Sequence, residues 1–270
     1  MKDVTFGQYY NATSFVHKMD ARVKILLSIA YIVAVFLVKE FHFYGFLVAF
    51  LFIVLTTIFS KVPFFSVLRS VKGILFFVIF SAVLQIFFNT AGEVVFSWKF
   101  ITITDGGLLK AGFIVCRIMM IVMGTALLTL TTTPVELADG IESLLSPLKL
   151  IKFPVHEFAL IMSIALRFIP TLMEETDRII KAQKARGADF ESGNLIKRAK
   201  AMVPILIPLL VSSFRRADEL ADAMDARCYS GAKGRTKYKK QRITYRDIIG
   251  FLVLAGLIVG IVFLNGVLWI

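Results

Sequence analysis

The chain has 270 residues, 57% of them hydrophobic and 26 of them Phe, with a formal net charge of +12. So much apolar surface excludes an ordinary soluble domain and places the chain among integral membrane proteins. The two cysteines, Cys116 and Cys228, form neither a disulfide framework nor a zinc spacing, and the positive charge speaks first of membrane orientation rather than nucleic acid.

Taken in order, residues 25–38, 43–59, 73–88, 108–130 and 248–270 are apolar runs that predict five membrane spans. The first three fall short of the roughly 20 residues that cross a bilayer squarely, so their flanks must complete the crossing. Lys18, Arg22 and Lys24, and then Lys61, Arg69 and Lys72, mark cytoplasmic ends. The loop 89–107 holds a single lysine, Lys99, and suits the outside. This arrangement puts the N-terminus in the cytoplasm and the C-terminus outside. Arg117 lies within a predicted span. It is either functional or paired with polar groups between helices.

Between Thr131 and Arg246 the character changes. Thr132-Thr133-Pro134-Val135-Glu136 reads as a helix start with Pro134 at the first helical position, and a short amphipathic helix should run to about Leu145. Two long helices should follow, at about 155–186 and 195–227, each roughly 45 Å long. Each begins apolar and finishes charged. Pro170, Pro204 and Pro208 should kink these helices rather than end them. The first apolar half should not cross the membrane alone, because the following stretch 174–246 carries 17 Lys or Arg against nine acids. The run 227–246 has eight basic residues and no acid, and reads as a topology and anionic-lipid anchor. The fold class expected is all-α, a polytopic membrane protein with about five transmembrane helices and a cytoplasmic region of one short and two long helices. The organisation expected is 1–131 as a four-span bundle, 132–246 as cytoplasmic or interfacial helices, and 247–270 as the final span.

One short pattern is written twice where the long helices should stop. Ala182-Gln183-Lys184-Ala185-Arg186-Gly187 and Ala223-Met224-Asp225-Ala226-Arg227-Cys228 each set an arginine between two small residues, 41 positions apart. A cation suits the partly negative carbonyl end of a helix, and Gly187 suits the residue just past it. Small neighbours leave the guanidinium fork free to enter a groove on a partner.

Catalytic equipment is missing from the pattern. His17, His42 and His156 are scattered, and Gly231-Ala232-Lys233-Gly234 lacks the spacing of a phosphate-binding loop. The chain should not hydrolyse ATP, and no cofactor or metal is expected in it.

The residues resemble the transmembrane scaffold (T) component of energy-coupling factor transporters, an ABC-type family that takes up vitamins and some metal ions. The match runs over most of the chain: Ser14-Phe15-Val16-His17-Lys18-Met19-Asp20-Ala21-Arg22 at the entry, with Ala21 where the family usually has Pro, then Thr132-Thr133-Pro134 through Ser146-Pro147-Leu148. Leu166-Arg167-Phe168-Ile169-Pro170, Glu174 and the first arginine pattern form its most specific part. The second pattern ends in Cys228 where Gly or another small residue is common. The resemblance implies that Ala185, Arg186 and Gly187, with Ala226, Arg227 and Cys228, dock on two ABC-type ATPases, supported by Arg167, Pro170 and Glu174. It implies further partners: a small hydrophobic substrate-binding membrane subunit, the lipid bilayer, and ATP with Mg held by the ATPases; nucleic acid is not among them. Alternatives from other classes are a self-contained secondary transporter, which only Arg117 suggests, a membrane-embedded enzyme, and the permease of an ordinary ABC importer, which would carry one coupling helix rather than a duplicated pair.

Overall fold

The computed structural model describes residues 9–39, 42–89, 92–98, 101–147, 154–190, 194–231 and 244–267. Helices dominate: α1 (Ala21–Phe36), α2 (Phe43–Ser60), α3 (Phe64–Lys72), α4 (Leu75–Phe88), α5 (Asp105–Thr131), α6 (Pro134–Leu144), α7 (Val155–Ala185), α8 (Leu195–Ala226) and α9 (Tyr245–Val267). Two compact units result: one holds α1 to α6 with α9, the other α7 with α8.

In the first unit α5 is the central post, with α1, α2, α3 and α4 packed on it, while α9 packs on α1 and α2. Close approach depends on small residues, as expected where lipid supplies no hydrophobic drive between helices. Ala34 and Ala49 are fully buried among Val35, Ile53, Leu127 and Ile261. Gly124 is required by Tyr31, since a Cβ there would lie 2.2 Å from the tyrosine ring. The ring stacks on Phe52, and its hydroxyl donates to the Met120 carbonyl at 3.3 Å. Outward faces carry exposed Phe76, Phe77, Phe88, Leu252 and Phe263, a surface suited to lipid.

By length and composition α2, α5, α7 and α9 could each cross a membrane, and α3 with α4 makes a fifth candidate bent by 61°. The third predicted span, 73–88, begins at that bend, and by length it reaches a full crossing only together with α3. α3 buries Val67 and Val71 on one side and carries Arg69 and Lys72 in its last turn, the pattern of a helix lying in the interface. The loop 89–107 contains an element the sequence pattern did not announce, an antiparallel hairpin of β1 (Val94–Trp98) and β2 (Ile101–Thr104). Thr104 ends it and caps α5, accepting from the Gly107 amide and donating to the Asn89 carbonyl.

At 16 residues α1 is about 24 Å long, short of a hydrocarbon core of about 30 Å. The carbonyls just past its end, at Leu37 and Val38, therefore need donors. Asn265 of α9 donates to the Leu37 carbonyl at 2.7 Å, and Arg117 of α5 donates to the Val38 carbonyl at 2.7 Å. Arg117 also lies over the rings of Phe113 (4.6 Å) and Phe36 (5.6 Å). Of its two readings, pairing with polar groups between helices is the one observed.

The entry motif clasps the other end of the bundle. Asp20 caps α1 through the Arg22 amide, and its own amide donates to Asp247 at the start of α9. Lys24 donates to the carbonyls of His17 and Thr131. Burial holds the His17 imidazole below its ordinary pKa, against the opposing pull of its hydrogen bond to the Tyr10 carbonyl. The ring donates from Nε2 to the Tyr10 carbonyl, which can only accept, and its Nδ1 lies 2.7 Å from the Ser14 hydroxyl. α6 opens with a reciprocal capping box between Thr133 and Glu136, both bonds at 3.3 Å, and Pro134 takes the first helical position.

Replacing Asn265 by Leu leaves the Leu37 carbonyl without that donor. Stability in detergent should fall by about 1 kcal/mol, read from thermal unfolding; an unchanged midpoint would show that the end of α1 is satisfied otherwise.

Candidate functional site: two arginine-capped helix ends

α7 and α8 run through Pro170, Pro204 and Pro208 without a break. Both prolines of α8 and that of α7 lie in the apolar halves, so the charged halves are regular up to their ends. The two helices lie antiparallel. Gln183 donates to the Pro204 carbonyl at 3.5 Å, Arg216 bridges to Glu175, and Phe168 and Leu172 share a groove with Leu220 and Met224.

The Glu175–Arg216 contact joins residues 41 positions apart, the same offset that separates Arg186 from Arg227. Each arginine therefore lies 11 residues, about 16 Å, beyond the contact along its own helix. Because the helices are antiparallel, the two ends point away from each other, roughly 33 Å apart. The pair has an approximate two-fold axis through Glu175 and Arg216.

Both ends stop in the same way. In α7 the Ala188 amide donates to the Gln183 carbonyl and the Gly187 amide to Lys184, each at 3.0 Å. In α8 the Tyr229 amide donates to Met224 at 3.1 Å and the Cys228 amide to Asp225 at 2.9 Å. Each is the paired-bond cap that reverses the chain after a helix, with the residue beyond the cap in a left-handed conformation. Gly187 (φ 87°) takes that conformation freely, and Cys228 (φ 56°) takes it with a side chain. Arg186 and Arg227 are the cap residues themselves, exposed, as are Ala185 and Ala226 before them. Neither guanidinium has a partner within the chain among the described residues. Each is left to a partner molecule or to water.

Of the supporting residues, Glu174 lines the groove beside the crossing with Glu175, Arg178 and Arg216. Arg167 and Pro170 are exposed on α7, back towards its apolar half and far from Arg186, but Phe168 between them shares its groove with Met224, three residues before Arg227. The pairing of Glu175 with Arg216 was not foreseen in the sequence. Their signal was present: sliding the two repeats past each other at the 41-residue offset puts an acid over a base there.

The family model described as cobalt transport protein (CbiQ) matches residues 12–238. The energy-coupling factor transporter transmembrane protein EcfT of Clostridium kluyveri is 53% identical over 253 residues, 93% of each chain. The chain belongs to this family of transporter transmembrane components. The protein of the same name from Ruminiclostridium cellulolyticum is 49% identical over 92% of each chain. That of Bacillus subtilis is 46% identical over 96% of this chain and 98% of its own. Membership makes this chain a non-catalytic, multi-pass membrane component of an energy-coupling factor transporter, and the all-α polytopic expectation holds.

Cys228→Gly should relieve the left-handed cysteine and steady the last turn of α8 by about 1 kcal/mol. Amide exchange at Asp225 to Cys228 should slow about fivefold. Gly187→Ala should do the reverse at the end of α7. Equal exchange in wild type and both variants would refute the shared cap.

Proposed function

We propose that this chain is the scaffold that couples ATP hydrolysis by two cytoplasmic ABC-type ATPases to uptake of a vitamin or other micronutrient, which a separate small hydrophobic membrane subunit binds. The observation that carries this reading is the pair of equivalent, exposed arginine caps at opposite ends of one antiparallel helix pair. Two ATPases offer two similar grooves, and this unit offers two similar plugs. An arginine fork held at a rigid helix end can engage carboxylates or carbonyls in such a groove. The neighbouring alanines let the helix end enter. ATP and Mg sit in the ATPases; closure there moves the plugs, and the long helices carry that motion to their apolar halves. Those halves expose Ile161, Met162, Leu206, Ile207, Leu210 and Phe214, a face suited to the membrane subunit.

The plugs must lie in the cytoplasm. α7 is long and apolar enough to cross, but crossing would place 174–246, with its excess of bases, outside. Its antiparallel partner would then have to return through an apolar stretch interrupted by Pro204 and Pro208. Lying in the interface satisfies both helices. The N-terminus is then cytoplasmic and the C-terminus outside.

Arg186→Ala and Arg227→Ala should each leave the chain folded and impair uptake, and the double variant should lose the ATPases on detergent pull-down. Retention of an intact, active complex by the double variant would sink the assignment. Orientation is open to thiol labelling after Cys116 and Cys228 are replaced. A membrane-impermeant reagent on intact cells should label a cysteine at Glu93 and miss one at Ser230. Labelling at Ser230 from outside would put the second plug beyond reach of any cytoplasmic ATPase.

A further inference from the structure

The two plugs share an arginine, and the charges around them are inverted. At the 41-residue offset Arg178 corresponds to Glu219, Lys181 to Asp222 and Lys184 to Asp225. All six side chains are exposed. The end of α7, residues 178–186, carries four bases and no acid; the end of α8, residues 219–227, carries three acids and Arg227 as its one base. Spaced three apart, each set forms a stripe along its helix, and the arginine stands two residues beyond the stripe's last member.

Helix electrostatics account for one stripe and not the other. Bases near the carbonyl end of α7 are favoured by the helix dipole. Acids in the same place on α8 work against the helix that carries them. Arg215, four residues before Glu219, can offset one of the three. Among the described residues no ion pair from α7 reaches Glu219, Asp222 or Asp225. The same inversion continues to the crossing, where Glu175 and Arg216 meet as opposite charges. There it holds the pair together; along the arms it gives two outward surfaces of opposite sign.

We propose that the plugs are addressed by charge: the α7 end seats in a socket rimmed by acidic side chains, and the α8 end in a socket rimmed by basic ones. The arginine is the part both sockets share, and the stripes decide which socket each plug accepts. This rests on the docking reading above. Charges at a rim act on encounter and on rejection of the wrong partner, and salt weakens them. A swapped arrangement sets bases against bases and acids against acids.

The test uses the full chain co-expressed with its ATPases and membrane subunit, purified in detergent. E219Q/D222N/D225N should weaken ATPase retention at least tenfold and flatten its dependence on sodium chloride. The thermal midpoint of the free chain should stay the same or rise, because acids that oppose the helix dipole have been removed. Exchanging all six charges between the stripes, with Arg186 and Arg227 kept, should reverse which ATPase cross-links to a photoreactive residue at Tyr229. Unchanged retention and salt dependence in the triple variant would overturn the proposal. So would weakened retention accompanied by a lowered midpoint, since the acids would then be serving the helix. The Arg186→Ala, Arg227→Ala double variant, run in parallel, separates the two failures. If it also keeps the ATPases, docking itself is wrong; if it loses them while the charge variants do not, only the addressing is wrong.

Discussion

The antiparallel crossing of α7 and α8 is the constraint on which the functional surface depends. A helix has one carbonyl end, and that end alone offers the cap that presents Arg186 or Arg227. Two such helices laid parallel would bring both arginines to one place. Laid antiparallel, they hold them apart at a distance set by the register. The Glu175–Arg216 pair fixes that register against slippage by a turn. A slip that brought Arg216 opposite Arg178 would exchange an attraction for a repulsion between like charges.

The membrane bundle solves a different problem, that of irregular backbone at membrane depth. α1 ends early, and the carbonyls just past its end are met by Asn265 and Arg117, two polar residues that stand out in otherwise apolar runs. Such residues are expensive in hydrocarbon and survive where they satisfy backbone that lipid cannot. At the opposite end Asp20, Lys24 and Asp247 tie the starts of α1 and α9 to the end of α5. The bundle is thus pinned by polar contacts at both ends and packed by small residues between them.

What could be read from the sequence followed from local chemistry. The ends of α6, α7 and α8 were legible because capping residues, Pro134 and the arginine patterns act within a few positions of themselves. The arginine caps were legible for the same reason, and because the pattern occurs twice. The crossing was not, since Glu175 and Arg216 look like any solvated charges until the two helices are laid together. Arg117 and Asn265 were visible as anomalies, but their partners lie 79 and 228 positions away. The hairpin 94–104 was missed because it is short and lies among loop residues, and the bend between α3 and α4 because the apolar run at 73–88 looked like a span by itself.

The crossing also divides each long helix unequally. From Glu175 it is 11 residues forward to Arg186 and 20 back to Val155; from Arg216 it is 11 forward to Arg227 and 21 back to Leu195. The arms are about 16 Å and about 30 Å. If each helix turned about the crossing, as the proposed coupling requires, its short arm would end at the arginine cap and its long arm would run into the apolar half. A displacement of about 3 Å at the cap would then become one of about 6 Å at the far end, in the opposite direction. The equal short arms would give both caps the same gearing.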